Sequence, residues 1–336
     1  MRATQNRSLS IAAVAAAALL AAGGPAAAQD VVNFAVPPEG TSGYLIVSAM
    51  NKVITDKTPV KKIVMQTFGG AAGWPARMQS GEVNFAAHCG FKPIQEAYAG
   101  EGAFEKAGRM PNVMNLATGH GLPYGMHVTD PGIKAIPQLK GKTIFVQTTH
   151  RDQLIAAQVM AKAAGLVYDK DIKIIPARSP QEQTQGVMTG KADGMMYALI
   201  PGLAEVQQAK GLHTLPMPEA MMDQIIEAEP VWGKTVIKAG TPPLKPEQDV
   251  PTIEIGCGLA AGATTNAETV YQVTKAIYEN LGAWNDVHPI AKQWTVARAT
   301  QVFVAPYHPG AIRYYKEKGV WTDALEAKQQ AFLAKK

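Results

Sequence analysis

Pro37-Pro38-Glu39-Gly40-Thr41-Ser42-Gly43-Tyr44 is the stretch that decides the fold, because a predicted strand ends before it and a predicted helix begins within it. The strand is Val31 to Val36, a run rich in β-branched and aromatic residues. Apolar residues then recur at helical spacing, at Val47, Met50 and Ile54. Thr41 and Ser42 are therefore candidate N-caps, and the unpaired N–H groups of the helix start predict an anion-binding corner. An ordinary capped helix without a ligand would give the same pattern.

The order of strand, polar or glycine-rich loop and helix recurs along the chain. Strands are predicted at 61–68 and 83–87, and again at 143–146, where a helix from Asp152 to Ala164 follows and Gly165 closes it. Ser179-Pro180-Gln181-Glu182 reads as a capping box between strands predicted at 171–177 and 192–199. This order is typical of a doubly wound α/β fold, in which ligands bind outside the carboxyl ends of the strands.

The last third of the chain has a weaker pattern. Residues 217–250 contain five prolines and are predicted to be irregular, whereas 252–259 reads as a returning strand. A helix is predicted at 267–284, and two more around Ala291 and at 307–319. We expect these last helices to pack on the first lobe.

The N-terminus has the composition of a secretory signal peptide. Arg2 and Arg7 precede an alanine-rich apolar run from Leu9 to Ala22, and Gly23-Gly24-Pro25 then leads into three alanines. The run is short for a membrane span. We therefore predict cleavage after Ala28 and a periplasmic location for the mature chain.

Charge, cysteine content and motifs exclude several functions. Removal of residues 1–28 leaves 30 basic residues against 27 acidic ones, without the clustered basic stripe of a nucleic-acid binder. Cys89 and Cys257 match no metal motif, so two free thiols are the first expectation and a disulfide the alternative. Gly40-Thr41-Ser42-Gly43 is not a nucleophile elbow, and residues 186–191 are one residue too short for a phosphate loop. We predict no catalytic residues, metal or cofactor.

The chain resembles the TRAP-associated extracytoplasmic immunogenic (TAXI) solute-binding proteins over essentially its whole mature length. The resemblance is carried by Gly40 to Tyr44, Gly69-Gly70, Ser80 to Glu82 with Ala97 to Gly100, Ile133 to Lys142, Val270 to Ile277 and His308 to Tyr315. The last two segments are the most specific. The glycine loops alone would be weak.

The resemblance implies a type II periplasmic-binding-protein fold, an α/β fold with two lobes and the ligand cleft between them. Residues 1–28 would be the signal peptide, 29–125 and 256–336 the first lobe, and 126–255 the second. The hinge would lie near 124–129 and 255–259. The implied partners are a small organic-anion ligand and the membrane subunits of a TRAP transporter, and we expect a monomer without a nucleic-acid partner.

Two departures from the family pattern shape the site prediction. Gly90-Phe91-Lys92 stands where the family has a polar Gln-Ser-Asp-like motif, and Thr149 to Gln153 replaces a Gly-Ser-Gly-Thr-like loop. Because Lys92 replaces an acid, the pattern favours a carboxylate without an amine over a glutamate-like amino acid, which stays the alternative. A periplasmic sensor or enzyme on the same scaffold also stays open.

Arg151 is the predicted carboxylate clamp of the second lobe, because a guanidinium can bind a carboxylate through two parallel hydrogen bonds. An ion pair with Asp152 or another acid is the alternative reading. The full set of predicted ligand-binding residues is Thr41, Ser42, Gly43, Tyr44, Gly70, Trp74, Phe91, Lys92, Thr149, Arg151 and Tyr197.

Overall fold

The structure, a computed structural model, describes residues 29–39, 41–68, 73–148 and 150–334. The predicted signal peptide, Gly70 and Thr149 lie outside the described residues. Within the described ranges, helices that combine the length and the apolar character needed to cross a membrane do not occur.

The strands of the described chain join into one mixed sheet. They are β1 (Val31–Val36), β2 (Lys62–Thr67), β3 (Phe85–Cys89), β4 (Val113–Val128), β5 (Thr143–Val146), β6 (Lys173–Pro176), β7 (Gly194–Ala198), β8 (His213–Thr214), β9 (Trp232–Ile237) and β10 (Val250–Gly262). The order is β2-β1-β3-β10-β4-β7-β5-β6, with β8 beside β4 and β9 beside β10. β1 to β3 are mutually parallel, as are β5 to β7, whereas β10 runs antiparallel to β3 and β4.

Helices follow most of these strands. They are α1 (Ser42–Lys57), α2 (Trp74–Gln79), α3 (Lys92–Ala99), α4 (Arg151–Ala163), α5 (Pro180–Met188), α6 (Leu203–Lys210), α7 (Glu219–Ala228), α8 (Ala267–Glu279), α9 (Pro309–Glu317) and α10 (Asp323–Ala334). The predicted N-cap Thr41 accepts a hydrogen bond from the Tyr44 N–H at 3.2 Å. Ser179 does the same for the Glu182 N–H, also at 3.2 Å. Side-chain caps thus fix where α1 and α5 begin.

Separate apolar cores define the two lobes of a type II periplasmic-binding-protein fold. The first lobe packs β1 and β3 against α1, α8 and α9, so the late helices return to the first lobe as expected. The second packs β5 and β7 against α4 to α6. β4 and β10 run through both lobes: Leu116 and Leu259 lie in the first core, and Tyr124 and Ile253 in the second. The boundaries at 125 and 255 remain a prediction.

Residues 217–250 correct the expectation of an irregular excursion. The segment contains α7 and β9, and β9 extends the sheet by pairing with β10 from Ile237 to Trp232. The prolines flank these elements rather than interrupt them, since Pro218 caps α7 and Pro242 follows β9. The helix predicted around Ala291 is a short 3₁₀ segment, Pro289–Gln293.

The expectation of two free thiols is also wrong, because Cys89 and Cys257 form a disulfide. Cys89 ends β3, and Cys257 lies directly opposite it on β10. The register of two strands that are 168 residues apart in sequence brings the two sulfurs together. Cysteine spacing carries no information about that register.

Candidate functional site

A cleft of about 330 Å³ opens between the two lobes. It is lined by the corners after β1, β3, β5, β6 and β7 and by the middle of β4, which crosses between the lobes. This is the place that the doubly wound pattern predicts, outside the carboxyl ends of parallel strands. The described lining residues lie within 36–43, 87–89, 122–124, 147–150, 178–184 and 197–202, together with Phe68 and Trp74.

The walls of the cleft are largely aromatic and apolar. Trp74 and Tyr197 lie on opposite lobes, and Tyr124 packs against Tyr197 with their ring centroids 6.1 Å apart. Phe68 and Leu122 complete the apolar surface. A pocket with such walls and few polar groups fits a small molecule that carries an apolar portion.

Arg178 is the one lysine or arginine among the described residues that line the cleft. Its backbone is held on both sides, since its N–H donates to Glu182 Oε2 at 2.7 Å and its carbonyl accepts from Gln147 Nε2 at 3.2 Å. Within the described chain its exposed guanidinium has no hydrogen bond or ion pair. Because Arg178 precedes the N-terminus of α5, its charge and the helix dipole both favour an anion.

Glu39 is the acidic group at the cleft. It is exposed and accepts a hydrogen bond from the Tyr44 hydroxyl at 3.3 Å. Next to it, Gly43 leaves room for the chain to turn into α1, because a Cβ there would lie 3.0 Å from Pro37 Cγ. The first-lobe side of the cleft therefore offers helix N–H groups and one carboxylate, and the second-lobe side offers a guanidinium.

Two histidines add neutral hydrogen-bonding groups. His88 is 4% exposed, and burial lowers its pKa to about 4. His150 is half-buried and caps α4 by accepting from the Gln153 N–H at its Nδ1, and burial lowers its pKa as well. Both rings are therefore neutral at pH 7, because removal from water disfavours the charged form.

The structure brings five of the predicted binding residues to the cleft, and these are Thr41, Ser42, Gly43, Trp74 and Tyr197. Tyr44 is not among the residues that line the cleft, but its hydroxyl donates a hydrogen bond to Glu39, which is. Phe91 is buried in the first lobe, where its ring packs edge-on against His88 at 4.8 Å between centroids. Gly70 and Thr149 lie outside the described residues. Whether any of these side chains contacts a ligand stays a prediction.

The two predicted cations, Lys92 and Arg151, are placed elsewhere. Arg151 pairs with the buried Glu96 on α3 at 2.9 Å, and Lys92 pairs with Glu229 at 3.1 Å. Each pair joins one lobe to the other. Arg151 therefore forms an ion pair, which was the alternative to a carboxylate clamp, and its partner is Glu96 rather than Asp152. With Lys92 neutralised by Glu229, its replacement of an acid no longer argues against an amine-bearing ligand.

Asp152 lies between these ion pairs. It is fully buried, and neither carboxyl oxygen has a hydrogen bond within the described chain. Burial raises its pKa to about 7, the nearby Trp232 indole opposes the shift, and the charges of Glu229 and Glu96 add to it. A Cβ at Gly90 would overlap its carboxyl, so the backbone of the first lobe approaches Asp152 closely.

Asp152→Asn should gain stability relative to wild type as the pH rises from 5 to 7. A folded-state pKa above the unfolded value means that the Asp152 contribution is present at low pH and is lost as the pH rises toward 7. The difference between variant and wild type should grow by up to about 1.4 kcal/mol per pH unit and level off near pH 8. Urea unfolding at pH 5, 6, 7 and 8 measures it. Asp56→Asn, at an exposed ion pair with Lys52, is the control, and a pH-independent difference would refute the assignment.

Arg178 and His88 were not among the predicted site residues. The signal for Arg178 was available, because the strand, loop and capping box around Ser179 repeat the corner at Thr41. His88 comes directly after a predicted strand, but a histidine at such a position is usually hydrogen-bonded within the protein, so the sequence does not single it out.

Cys89, Cys257 and His120 form the one group of potential metal ligands within the described residues, with their donor atoms within 4.8 Å of one another. Both sulfurs are used in the disulfide. Metals bind thiolates, and a disulfide offers none. The oxidised cluster is therefore unsuited to a metal.

The chain is similar to known proteins in sequence and in fold. The NMT1-like family matches residues 34–319. A solved structure described as a periplasmic transporter is 14% identical, with a TM-score of 0.51 over 91% of this chain and 96% of that one. At this identity the likeness shows the fold alone.

Other solved structures are similar at lower TM-scores. The alkanesulfonate-binding protein SsuA from Xanthomonas axonopodis pv. citri bound to MOPS is 14% identical, with a TM-score of 0.46 over 90% of this chain and 95% of that one. A TctC solute-binding protein from Polaromonas is 13% identical, with a TM-score of 0.46 over 76% of this chain and 86% of that one. Both of these neighbours are described as binding proteins. The match over residues 34–319 shows that the chain belongs to the NMT1-like family, and its structure is the two-lobed fold of periplasmic solute-binding proteins.

Proposed function

We propose that this solute-binding protein captures a small organic acid in the periplasm and delivers it to the membrane subunits of a TRAP transporter. The observation that carries the ligand class is the exposed guanidinium of Arg178, which lines a cleft with aromatic walls, precedes the N-terminus of α5 and has no hydrogen bond or ion pair within the described chain. A carboxylate is one of the anions that match a guanidinium fork and backbone N–H groups together, and the TAXI resemblance favours it over the others.

The proposed pose places the acid group near Arg178 and the apolar part of the ligand between Trp74 and Tyr197. Thr41, Ser42 and Gly43 supply the opposite side of the cleft at the start of α1. We propose that the lobes close around the ligand about β4 and β10. The irregular pairing of these strands near Gly256 and Leu259 supports this hinge.

A glutamate-like amino acid is the second candidate, and Glu39 favours it. Its exposed carboxylate lines the cleft on the first-lobe side, where it could pair with a ligand ammonium group. An organic acid without an amine would leave Glu39 in water. The two candidates therefore predict different effects of removing the Glu39 charge.

Arg178→Ala should weaken the binding of organic acids by roughly 10- to 100-fold, because a hydrogen bond to a charged group contributes about 1.5–3 kcal/mol. Thermal-shift screening of organic acids and amino acids finds a ligand, and calorimetry measures its Kd with each variant. Arg313→Ala, which removes a cation paired with Glu268 on α8, is the matched charge control.

Two other variants separate the competing assignments. If Arg151→Ala weakens binding and Arg178→Ala does not, the clamp is Arg151 and the pose above is wrong. Glu39→Gln should weaken an amino acid and leave an amine-free acid unchanged or slightly tighter. If no acid of either kind stabilises the protein, the proposed ligand class fails.

The transporter type rests on the TAXI resemblance. Its two most specific segments, 270–277 and 308–315, lie in and around α8 and α9. Ligand-dependent uptake by TRAP membrane subunits in proteoliposomes, absent without this protein, tests the partner. Mass spectrometry of a ligand extracted after denaturation separates a carrier from an enzyme, because a carrier returns the compound unchanged.

A further inference from the structure

We propose that two ion pairs act as an interlobe latch, which holds the lobes together around the cleft and so raises the affinity for the ligand. The pairs are Lys92–Glu229 and Arg151–Glu96. The four residues act through the position of the lobes and do not contact the ligand. For its effect on affinity the inference rests on the proposed function, since it concerns capture by the same cleft.

The interlobe latch joins α3 of the first lobe to the second lobe through charges of alternating sign. Lys92 and Glu96 lie four residues apart on α3 and therefore on one face of that helix. Lys92 faces an acid, Glu229, at 3.1 Å. Glu96 faces a base, Arg151, at 2.9 Å. Sliding the lobes by one pairing would bring like charges together, so the pattern favours one relative position of the lobes.

Burial gives these pairs more weight than a surface salt bridge has. The four side chains are between 5% and 35% exposed, whereas Lys238 and Asp249, which pair within the second lobe, are 72% and 50% exposed. The Arg151 guanidinium donates to Glu96 Oε1 through both Nε and Nη2, at 3.2 and 2.9 Å. Breaking such a pair leaves a poorly solvated charge without its partner, so separating the lobes there is costly.

The positions of these charges on their helices also point to an interlobe role. Lys92 begins α3, Arg151 begins α4, and Glu229 follows the last residue of α7. A helix dipole favours anions at the N-terminus and cations at the C-terminus, so each of these charges stands at the end that disfavours it. The partner in the other lobe compensates for this, and the compensation is lost when the lobes separate.

The interlobe latch adjoins the cleft. Residues 88–89 end β3 and line the cleft, and so does His150, directly before Arg151. Beside the pairs, Gly90 approaches Asp152 so closely that a Cβ would overlap the carboxyl. A lobe rotation that breaks the pairs would therefore also widen the cleft between its β3–α3 and β5–α4 corners.

The distance between the lobes tests the interlobe latch without any ligand. Nitroxide labels at the exposed positions Lys57→Cys on α1 and Lys162→Cys on α4 report it by double electron–electron resonance. Lys92→Glu should lengthen and broaden the distance distribution, because two carboxylates then face each other. Adding Glu229→Lys should restore it, since the pair is re-formed with reversed charges. Lys238→Glu, which breaks a pair inside the second lobe, should leave it unchanged.

Calorimetry tests the consequence for binding, with glutamate, glutarate and 3-phenylpropanoate as probes. Lys92→Glu should weaken every probe that binds by a similar factor, about 5-fold or more, because the closed arrangement is lost whatever the ligand. Glu229→Lys added to it should recover the affinity. Arg151→Ala and Glu96→Gln should have equal effects, and the double variant no further effect, since either substitution breaks the same pair.

Three results would each overturn the interlobe latch. They are equal label distances in Lys92→Glu and wild type, no recovery in the folded charge-swap variant, and a loss of affinity in Arg151→Ala that Glu96→Gln does not share. Circular dichroism checks folding, and Glu96→Gln in the labelled protein replaces Lys92→Glu if that variant does not fold. If none of the probes binds to wild-type protein, the proposed ligand class fails, and the label distances still decide the interlobe latch.

Discussion

The free energy of unfolding should fall steeply as the pH is lowered from about 6.5 to about 4. Four histidines that are at most 4% exposed carry the effect: His88, His120, His127 and His308. Burial lowers the pKa of His120 to about 3 and that of the other three to about 4. The unfolded chain therefore takes up protons below pH 6.5 that the folded chain cannot accept. Stability is complete above 6.5 and is lost below it.

The size of the effect decides the net direction. Each such histidine contributes at most about 1.4 kcal/mol per pH unit, so four together reach about 5 kcal/mol per pH unit. Asp152 acts in the opposite direction with a single proton. Since folded proteins are stable by about 5–15 kcal/mol, acid unfolding should occur within a few pH units below 6.5.

His127→Gln should make the acid transition shallower. His127 is fully buried between the Thr214 hydroxyl and the Tyr197 carbonyl, and a glutamine can still donate to that carbonyl. Urea unfolding between pH 4.5 and 7.5 measures the slope, which should decrease by about 1.4 kcal/mol per pH unit. His213→Gln, at a half-buried histidine, is the control. A slope equal to that of wild type would show that His127 does not resist protonation.

Loss of the Cys89–Cys257 disulfide should lower the free energy of unfolding by about 2–5 kcal/mol. The bond closes a loop across a sequence separation of 168 residues, so it restricts the unfolded chain strongly. The double variant Cys89→Ala/Cys257→Ala and wild type in a dithiol reductant should lose similar amounts in urea unfolding. Agreement of the two routes excludes a side effect of the substitutions.

A thiol assay is the direct check on the bond itself. Wild-type protein denatured without reductant should contain no reactive thiol, and one treated with reductant should contain two. Two thiols in the unreduced sample would show that the bond is absent from the purified protein. Because such bonds persist in oxidising compartments, its presence also supports the proposed periplasmic location.

Local signals in the sequence predicted much of the fold. The strand at Val31 and the caps at Thr41 and Ser179 are settled by residues within a few positions, so periodicity and capping chemistry were sufficient. The prediction that 217–250 is irregular was wrong because its prolines lie outside α7 and β9 and do not interrupt either element. The pairing of Cys89 with Cys257 depends on strand register, which is a tertiary property.

The candidate site was less predictable than the fold. Arg151 and Arg178 both lie near the start of a helix that follows a strand. The sequence does not show that Arg151 forms an ion pair with Glu96 whereas Arg178 does not. Trp74 at the start of α2 and Tyr197 near the end of β7 could be placed at the cleft because β2 and β7 end at the edge of the sheet that lines it. Arg151 and Arg178 can be told apart only once the position of α3 is known, because Glu96 on that helix pairs with Arg151 from the other lobe.

The family segments are also informative about packing rather than about the ligand. Gly310 belongs to the most specific of them, and a Cβ there would meet the Ala267 carbonyl oxygen and the backbone of α8. Tyr315 donates from its hydroxyl to the Leu116 carbonyl at 2.8 Å in the first core. The segments that resemble the TAXI proteins therefore bear on the packing of the first lobe more directly than on the identity of the ligand.

The position of β10 between β3 and β4 has a consequence for synthesis. A nascent chain that ends at β9 has neither the strand that fills the middle of the first-lobe sheet nor α8 and α9, which complete its core. Contacts between such distant segments form slowly. The first lobe can therefore complete its core only after β10, α8 and α9 have been synthesised.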